Sequence, residues 1–292
     1  MRFSIVVSAV FVLLWSTGFL GGKMGVPYAE PMTLLAVRFG IVSVLLAIWV
    51  VVSGGQWLRM TDVRDQAMIG AMVHFSYLGG VFVGLSLGVE AGVAALIVGL
   101  QPVVTALAAR QMRGERLVGV QWLGMALGFA GVGIVVARKL DAGLGEPLGV
   151  VFCFLSLIGI AFGSILQKTR SANVPMQSGN AVQFAAASMC CLVAALVFET
   201  MVIEWTGEFI FALWWLIIVL SLGAIAVLYW LIQRGEASEV ASLFFLVPPV
   251  TAIFAWFLFG EVLGLLEIGG LVLTAVGVLL VNRPGIVSRR VV

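Results

Sequence analysis

The stretch GVEAGVAALIVGLQP at residues 88–102 has a second copy in the same chain, GEASEVASLFFLVPP at residues 235–249. The two stretches align at an offset of 147 residues, with these identical pairs: Gly88 and Gly235, Ala94 and Ala241, Leu96 and Leu243, Pro102 and Pro249. A run of apolar residues that carries a proline at the same place in both copies indicates a duplicated fold.

The duplication extends outward from these stretches. Gly114-Glu115 matches Gly260-Glu261, and the further matches are Gly124 with Gly270, Gly131-Val132 with Gly277-Val278, and more weakly Gly18 with Gly163 and Lys23 with Lys168. The halves divide near residue 146. We therefore expect two structural repeats, residues 1–146 and residues 147–292.

The composition excludes a soluble surface. Hydrophobic residues make up 62% of the 292 residues and charged residues only 10%, whereas a soluble domain carries about 25% charged residues. This excludes a secreted or cytosolic enzyme, a nucleic-acid-binding protein and a disordered protein. The three cysteines lie in apolar runs, without His or Asp at metal-ligand spacing, so we expect no disulfide framework, no metal and no cofactor.

The apolar runs are long enough to cross a bilayer, which takes roughly 20 residues per helix. Ten such segments are present: 4–22, 31–52, 67–87, 91–110, 118–137, 149–168, 178–199, 211–233, 237–258 and 265–282. The sequence thus predicts an all-α integral membrane protein with ten transmembrane helices.

The basic residues predict the orientation. With a cytoplasmic N-terminus, twelve of them fall inside: Arg2, Arg59, Arg64, Arg110, Arg113, Arg116, Lys168, Arg170, Arg234, Arg283, Arg289 and Arg290. Only Lys23, Arg138 and Lys139 fall outside, and Arg38 lies within a span. Since cytoplasmic loops carry the excess of Lys and Arg, we expect both termini in the cytoplasm. We interpret the acidic residues Glu199, Glu204 and Glu208 of one outer loop as a solvated face.

Each half has five spans, and an odd number of spans places the second half upside down relative to the first. Inverted repeats related by an axis in the membrane plane are typical of transporters that work by alternating access. A membrane-embedded enzyme is the contrasting hypothesis. It would need a catalytic constellation within the spans, and one His with one Arg does not supply one.

The same residues resemble a known family. The run Ala91–Leu96 with Gln101-Pro102, followed by Gly114-Glu115-Arg116 and Gln121–Gly124, is similar to the fourth and fifth helices of EamA-type members of the drug/metabolite transporter superfamily. The remaining matches are Ala241-Ser242-Leu243, Pro248-Pro249, Gly260-Glu261 and Gly269-Gly270 in the second copy, and Leu14-Trp15-Ser16, Phe19, Lys23 and Arg38-Phe39 in the first two helices.

The resemblance implies a multi-pass protein of a bacterial inner membrane that exports small metabolites, often amino acids. Purine, sugar-nucleotide and drug carriers belong to the same superfamily. Small multidrug members carry a membrane-buried glutamate in the first helix, but here no acid lies between Arg2 and Glu30. This departure argues against proton/drug antiport of that kind.

Polar groups at membrane depth are candidates for substrate binding. His74, the only histidine, shares one helical face with Tyr77, Val81, Gly84 and Gly88. This face is either the wall of a cavity or a close-packed surface against a neighbouring helix. The sequence places no second metal ligand near His74.

The fourth and ninth spans are interrupted by proline at matching positions, Pro102 and Pro248-Pro249. A proline inside a helix frees the carbonyl four residues back, and paired interruptions indicate a transporter binding site. We expect a gating kink at these prolines, with Gln101 and Phe245 in the adjoining pocket. A kink without function is the alternative.

Three further residues lie at informative depths. Trp15 is near the middle of the first span, where it is either bundle core or an aromatic cavity wall. Tyr229, near the inner end of the eighth span, either lines an inner vestibule or belongs to the interfacial belt. Arg38, in the second span, either braces neighbouring helices or receives a substrate carboxylate, and its repeat partner is Gln183.

The predicted function is therefore export of small metabolites, with amino acids, especially aromatic or hydrophobic ones, as the expected substrates. The alternative substrates are drugs and quaternary ammonium compounds. The expected partners are the small-molecule substrate and membrane lipid, without nucleic acid. We expect a monomer, with a homodimer as the alternative state.

Overall fold

The computed structural model describes residues 5–113, 118–141, 143, 146–234, 243–262 and 264–281. Within these ranges the chain is helical, apart from its loops and one isolated β-bridge between Ala29 and Ile203. Eight helices are long and apolar enough to cross a membrane, and two apolar helices are shorter. The prediction of ten helices is confirmed.

We number these helices α1 to α10. The first half contains α1 (Ile5–Gly25), α2 (Pro31–Val52), α3 (Met60–Ser86), α4 (Ala91–Val98 and Gln101–Arg113) and α5 (Gly119–Asp141). The second half contains α6 (Pro147–Arg170), α7 (Met176–Phe198), α8 (Gly207–Trp214, continuing through Trp215–Ala224 and Ile225–Arg234), α9 (Val247–Phe259, after a 3₁₀ turn at Phe244–Leu246) and α10 (Leu265–Val281).

The start of α3 differs from the prediction, because the helix begins at Met60 rather than at residue 67. Its first turns are polar, but they pack against α6 and α7. Gln66 in this segment is fully buried and donates a hydrogen bond from Nε2 to Ser171 Oγ at 2.9 Å. Tertiary contacts therefore hold a helical segment that hydropathy alone does not indicate.

The helices of the two halves pair in a symmetric way. The contacts α2 with α7, α4 with α9 and α5 with α10 each join corresponding helices of the halves. Helix α1 corresponds to α6, and α3 corresponds to α8. The contact of α1 with α8 in one direction is matched by the contact of α6 with α3 in the other, and both contacts occur. This pattern is that of a twofold relation between two halves of five helices each, as inverted repeats require.

Two phenylalanines stand at the centre of this relation. Phe39 on α2 and Phe184 on α7 follow the repeat partners Arg38 and Gln183 in the sequence. Both rings are buried, and their centroids lie 5.6 Å apart. The central contact between the halves thus joins a residue to its own repeat counterpart.

Both halves also contain a π-helical segment at the same place. The segments are Ala71–Ser76 in α3 and Trp215–Ala224 in α8. At the offset of 147 residues, positions 71–76 correspond to 218–223, which lie inside the second segment. π-helical turns inside α-helices occur frequently at functional sites, and nothing in the apolar pattern indicated these two.

The glycine-rich faces of α5 and α10 pack against each other. A Cβ atom added at Gly131 would lie 2.5 Å from the Gly270 carbonyl oxygen, and one at Gly277 would lie 2.5 Å from the Gly124 carbonyl oxygen. In the structure these glycines join the two halves of one chain, as small residues do between membrane helices.

Candidate functional site

The interruption of α4 is a turn at Gly99 and Leu100, and Pro102 is the second residue of the segment that follows. In α9, Pro248 and Pro249 lie in the first turn, directly after the 3₁₀ turn. The sequence predicted prolines that kink a span from within, whereas the structure places all three where a segment begins. Proline is tolerated there because the first backbone N–H groups have no intrahelical acceptor.

The two interruptions meet in space. A Cβ atom added at Gly99 would lie 2.9 Å from Pro248 Cγ. A narrow cleft lies at this contact. It is lined by Leu96, Gly99, Phe245, Pro248, Pro249, Leu271, Thr274, Ala275 and Val278. The structure thus brings three of the residues singled out from the sequence, Phe245, Pro248 and Pro249, to one cleft, which we call the α4–α9 cleft.

Trp15 packs in a cluster of three aromatic rings beside the start of α9. Its ring centroid lies 5.4 Å from that of Phe11 and 5.1 Å from that of Phe244, in an edge-on arrangement with the latter. Trp15 is only partly buried. One residue on, Ser16 Oγ donates to the Val12 carbonyl at 2.8 Å and lies 3.4 Å from the Val247 carbonyl. These contacts hold α1 against α9.

Gln101 lies at the contact between α4 and α6. Its Nε2 donates a hydrogen bond to Ser164 Oγ at 2.8 Å, and the Ser164 hydroxyl donates to the Ile160 carbonyl at 2.7 Å. One turn further along α4, the Thr105 hydroxyl is buried without a hydrogen-bond partner in the described part of the chain. Thr105 and Ser164 were not singled out from the sequence, because single hydroxyls in apolar runs give no periodic signal.

His74 and Tyr77 are buried in the bundle. The His74 ring stacks on Phe184, with the centroids 4.1 Å apart and the planes inclined by 18°. On the same face of α3, a Cβ atom added at Gly84 would lie 2.5 Å from Cys153 Sγ on α6. In this conformation the face is packed against neighbouring helices.

Arg38 is buried and hydrogen-bonded to α8. Its Nε and Nη2 donate to Ser221 Oγ at 3.2 and 3.0 Å, and the guanidinium lies 5.4 Å from the centroid of the Phe39 ring. The ion pairs among the described residues are Lys23–Glu261, Lys139–Glu90 and Arg170–Asp65, and none of them includes Arg38. Its positive charge is therefore held without a carboxylate in this part of the structure.

Arg38 and His74 each have a counterpart in the second half. Gln183 is the repeat partner of Arg38, and at the offset of 147 residues Ser221 corresponds to His74. Arg38 donates to Ser221 Oγ, so the guanidinium of one half contacts the counterpart of His74 in the other half.

Gln183 reaches the inner polar residues of α3 and α6. Its Nε2 donates to Gln66 Oε1 at 2.7 Å and to Gln167 Oε1 at 3.0 Å. Tyr229, which was predicted to line an inner vestibule, belongs to α8, but its side chain lies outside the described residues.

The outer loops join the halves through carboxylates. Glu199 accepts hydrogen bonds from the N–H groups of Met32 and Thr33 at 2.7 Å each, and so caps α2. Glu30 accepts from the Thr200 hydroxyl at 2.6 Å and from its N–H at 2.7 Å. These hydrogen bonds hold the pKa of the Glu30 carboxyl below its usual value.

Glu208 is likewise engaged, because it accepts a hydrogen bond from the Tyr28 hydroxyl. This carboxylate raises the pKa of the Tyr28 hydroxyl. The interpretation of the outer acidic residues as a solvated face is wrong for Glu199, which is half-buried and caps α2, whereas Glu208 is exposed. Unsatisfied N–H groups at the start of α2 attract the Glu199 carboxylate, as expected at a helix N-terminus.

Ten apolar helices in two symmetric halves, with broken helices that meet at a cleft between those halves, define a membrane transporter. The chain belongs to the EamA-like transporter family, whose profile matches residues 2–137 and 147–283. This membership confirms the predicted family resemblance and the assignment to transporters rather than to enzymes.

Relatives cover nearly the whole chain. An uncharacterized transporter, YvbV, of Bacillus subtilis is 29% identical over 277 residues, which are 94% of this chain and 90% of the relative. A probable amino-acid metabolite efflux pump of Escherichia coli is 28% identical over 98% of this chain and 97% of the relative. A probable terminal-alkyne amino-acid exporter of Streptantibioticus cattleyicolor is 27% identical over 96% of this chain and 93% of the relative.

An uncharacterized inner membrane transporter of Escherichia coli, YedA, is 26% identical over 84% of this chain and 79% of its own length. This relative agrees with the predicted location, which is thereby confirmed. A solved crystal structure superposes with a TM-score of 0.63 at 19% identity and covers 94% of both chains. At this identity the likeness concerns the fold.

Proposed function

We propose that the protein exports amino acids and related small metabolites by alternating access. The observation that carries this proposal is the meeting of the two interrupted helices, α4 and α9, at one cleft between the repeats. Discontinuous helices in corresponding positions are where transporters bind their substrates. The names of two relatives, an amino-acid metabolite efflux pump and an amino-acid exporter, support the substrate class.

In this proposal the substrate binds beside the α4–α9 cleft and contacts Trp15, Gln101 and Phe245. Trp15 and Phe245 offer partly buried aromatic faces, and Gln101 offers a carbonyl and an amide group. This lining favours an aromatic or hydrophobic side chain on the substrate. His74 and Tyr77 are packed in this conformation, so they would reach a substrate only when the halves separate.

We assign Arg38 primarily to bracing. Its guanidinium already donates twice to Ser221 and faces the Phe39 ring. A role in receiving the substrate carboxylate would require α8 to move away from α2 and leave those donors open. Such a movement is compatible with alternating access, but it lies outside the conformation described.

The test is efflux of radiolabelled phenylalanine and leucine from proteoliposomes that contain the purified protein. Trp15→Ala removes one aromatic contact, worth about 0.5–1.5 kcal/mol, so the half-saturating concentration should rise about 2- to 13-fold. The matched control is Trp256→Ala on α9, because Trp256 is 58% exposed and lies outside the cluster. Absence of amino-acid flux would refute the proposal.

The competing substrate class is quaternary ammonium compounds. The ring cluster of Phe11, Trp15 and Phe244 could face such a cation, since aromatic rings attract cations. In the same liposomes, flux of tetraphenylphosphonium or a quaternary ammonium dye without amino-acid flux would replace the proposal with this one.

A further inference from the structure

Four charged side chains meet at the outer side of the protein, the side assigned by the charge distribution. Lys23 lies at the end of α1, Glu90 directly before α4, Lys139 at the end of α5 and Glu261 between α9 and α10. Lys139, Glu261 and Glu90 are only 5%, 7% and 9% exposed. Lys23 pairs with Glu261, and Lys139 Nζ lies 2.8 Å from Glu90 Oε2. We call these four residues the outer charge cluster.

The cluster ties the second half to the first. Glu261 pairs with Lys23 and also accepts hydrogen bonds from the N–H groups of Ala91 at 3.0 Å and Gly92 at 3.3 Å. Lys139 Nζ donates to the Val262 carbonyl at 2.7 Å. One short loop of the second half is thereby fixed to three helices of the first.

The loop has a defined geometry that aims Glu261 at α4. Gly260 ends α9 with a left-handed backbone, at φ 67°, which a residue with a Cβ atom rarely adopts. Glu261 follows at once and caps the first two residues of α4, whose N–H groups have no intrahelical acceptor. The capped segment, Ala91–Val98, ends at the interruption of α4, so it is a helical segment separate from Gln101–Arg113.

The cluster stands beside a second narrow cleft. Its lining includes Glu90, Val93, Leu96, Glu261 and Leu271. Leu96 and Leu271 also line the α4–α9 cleft. The four charges therefore stand between the α4–α9 cleft and the outer side.

We propose that the outer charge cluster is the outer gate of the transporter. With both ion pairs formed the protein is closed to the outside, and it opens when Lys23 and Glu261 separate and release the first segment of α4. The proposal rests on alternating access, as proposed above, but not on the identity of the substrate. A gate of paired charges is strong when dry and weakens as water enters, because water screens the attraction between the charges.

The test measures access to the second cleft from outside. Val93 lines that cleft and is 4% exposed, so Val93→Cys is introduced as a reporter after replacement of the three native cysteines by alanine. Right-side-out vesicles are treated with a membrane-impermeant maleimide. A protein that samples its open form at about 0.1–10% labels slowly, and loss of the ion pair should speed labelling about tenfold.

Two variants remove the pair in different ways. Glu261→Gln keeps an oxygen acceptor for the Ala91 N–H but loses the charge, and Lys23→Gln removes the other charge at a residue that is more exposed. Each should raise the labelling rate relative to the parent protein. The matched control is Asp65→Asn, which breaks the exposed ion pair with Arg170 on the inner side.

The outcomes separate a gate from a static brace. If both single variants fold, as judged by gel filtration, and label at the parent rate, the gate is refuted. Equal acceleration by Asp65→Asn would also refute it, because any loosened contact would then open the cleft. Faster labelling without amino-acid flux would support the gate while refuting the proposed substrate.

Discussion

Gly131→Ala should destabilise the contact between α5 and α10. At this position a Cβ atom would lie 2.5 Å from the Gly270 carbonyl oxygen and 2.8 Å from the Thr274 nitrogen. Carbon atoms do not approach backbone atoms this closely, so the two helices must separate or the side chain must be strained. Because both obstacles are backbone atoms, no rotamer change can relieve the overlap.

The magnitude follows from a comparison within the same helix. Overpacking a tight contact costs about 1–3 kcal/mol, whereas alanine in place of glycine favours a helix by about 1 kcal/mol. Gly133→Ala isolates the second effect, since a Cβ atom at Gly133 meets nothing within 4 Å. At roughly 2–4 °C per kcal/mol for a chain of this size, Gly131→Ala should unfold about 2–12 °C below Gly133→Ala.

The assay is thermal unfolding of the purified protein in detergent, followed by tryptophan fluorescence. The same comparison can be repeated on α10, where a Cβ atom at Gly270 would lie 2.8 Å from the Gly131 carbonyl oxygen and one at Gly269 meets nothing within 4 Å. Equal midpoints for Gly131→Ala and Gly133→Ala would refute backbone-to-backbone packing of these helices.

Three further predictions concern buried and outer polar groups. Ser221→Ala removes the hydroxyl that accepts hydrogen bonds from Arg38, and a hydrogen bond to a charged group is worth about 1.5–3 kcal/mol. The thermal unfolding midpoint of this variant should therefore be lower than that of Ser86→Ala, the control at an exposed serine. Because the folded-state pKa of Glu30 lies below its usual 4.5, its stabilising effect is complete above pH 4.5 and is lost as the pH falls toward the lowered value. The difference in unfolding midpoint between the parent protein and Glu30→Gln should therefore shrink in that range. Since His74 is stacked among aromatic rings, we do not expect it to carry a proton during transport. An inward proton gradient should therefore leave the rate of substrate efflux unchanged. An acceleration of efflux that His74→Ala abolishes would contradict this prediction.

The number of helices could be predicted because membrane spans are defined by length and hydropathy, which are local properties. The start of α3 could not, because Met60–Gly70 contains charged residues and owes its helical state to contacts with α6 and α7. Gln66 illustrates the difficulty: it has the sequence character of a loop residue, yet it is fully buried and hydrogen-bonded.

The prolines show a second limit of the sequence. Their matching positions correctly indicated interrupted helices, but proline both breaks a helix and begins one. Which of these happens depends on the residues before it, and here Gly99-Leu100 forms a turn and Phe244–Leu246 a 3₁₀ turn. The sequence therefore indicated the place of the interruption, and only the structure gave its form.

The outer charge cluster depends on contacts between distant parts of the chain. Lys23 and Glu261 are 238 residues apart, and the topology alone placed both at the outer side. One signal could have suggested the pair, because the repeat partners Lys168 and Glu115 have the same residue types. Glu115 itself lies outside the described residues.

The duplication shows which buried contacts are shared by the two halves and which occur in only one of them. Positions that are identical or alike in both halves, such as Phe39 with Phe184 and Gly131 with Gly277, pack at contacts between the halves. Two buried polar positions differ between the halves: Arg38 corresponds to Gln183, and His74 to Ser221. The charge of Arg38 has no counterpart in the second half, where Gln183 is neutral. Exchanging the conformations of the two halves therefore does not restore the same environment around the central helices. Under the proposed alternating access, symmetry therefore does not require the two open forms to have equal free energies, and the difference between Arg38 and Gln183 is one reason.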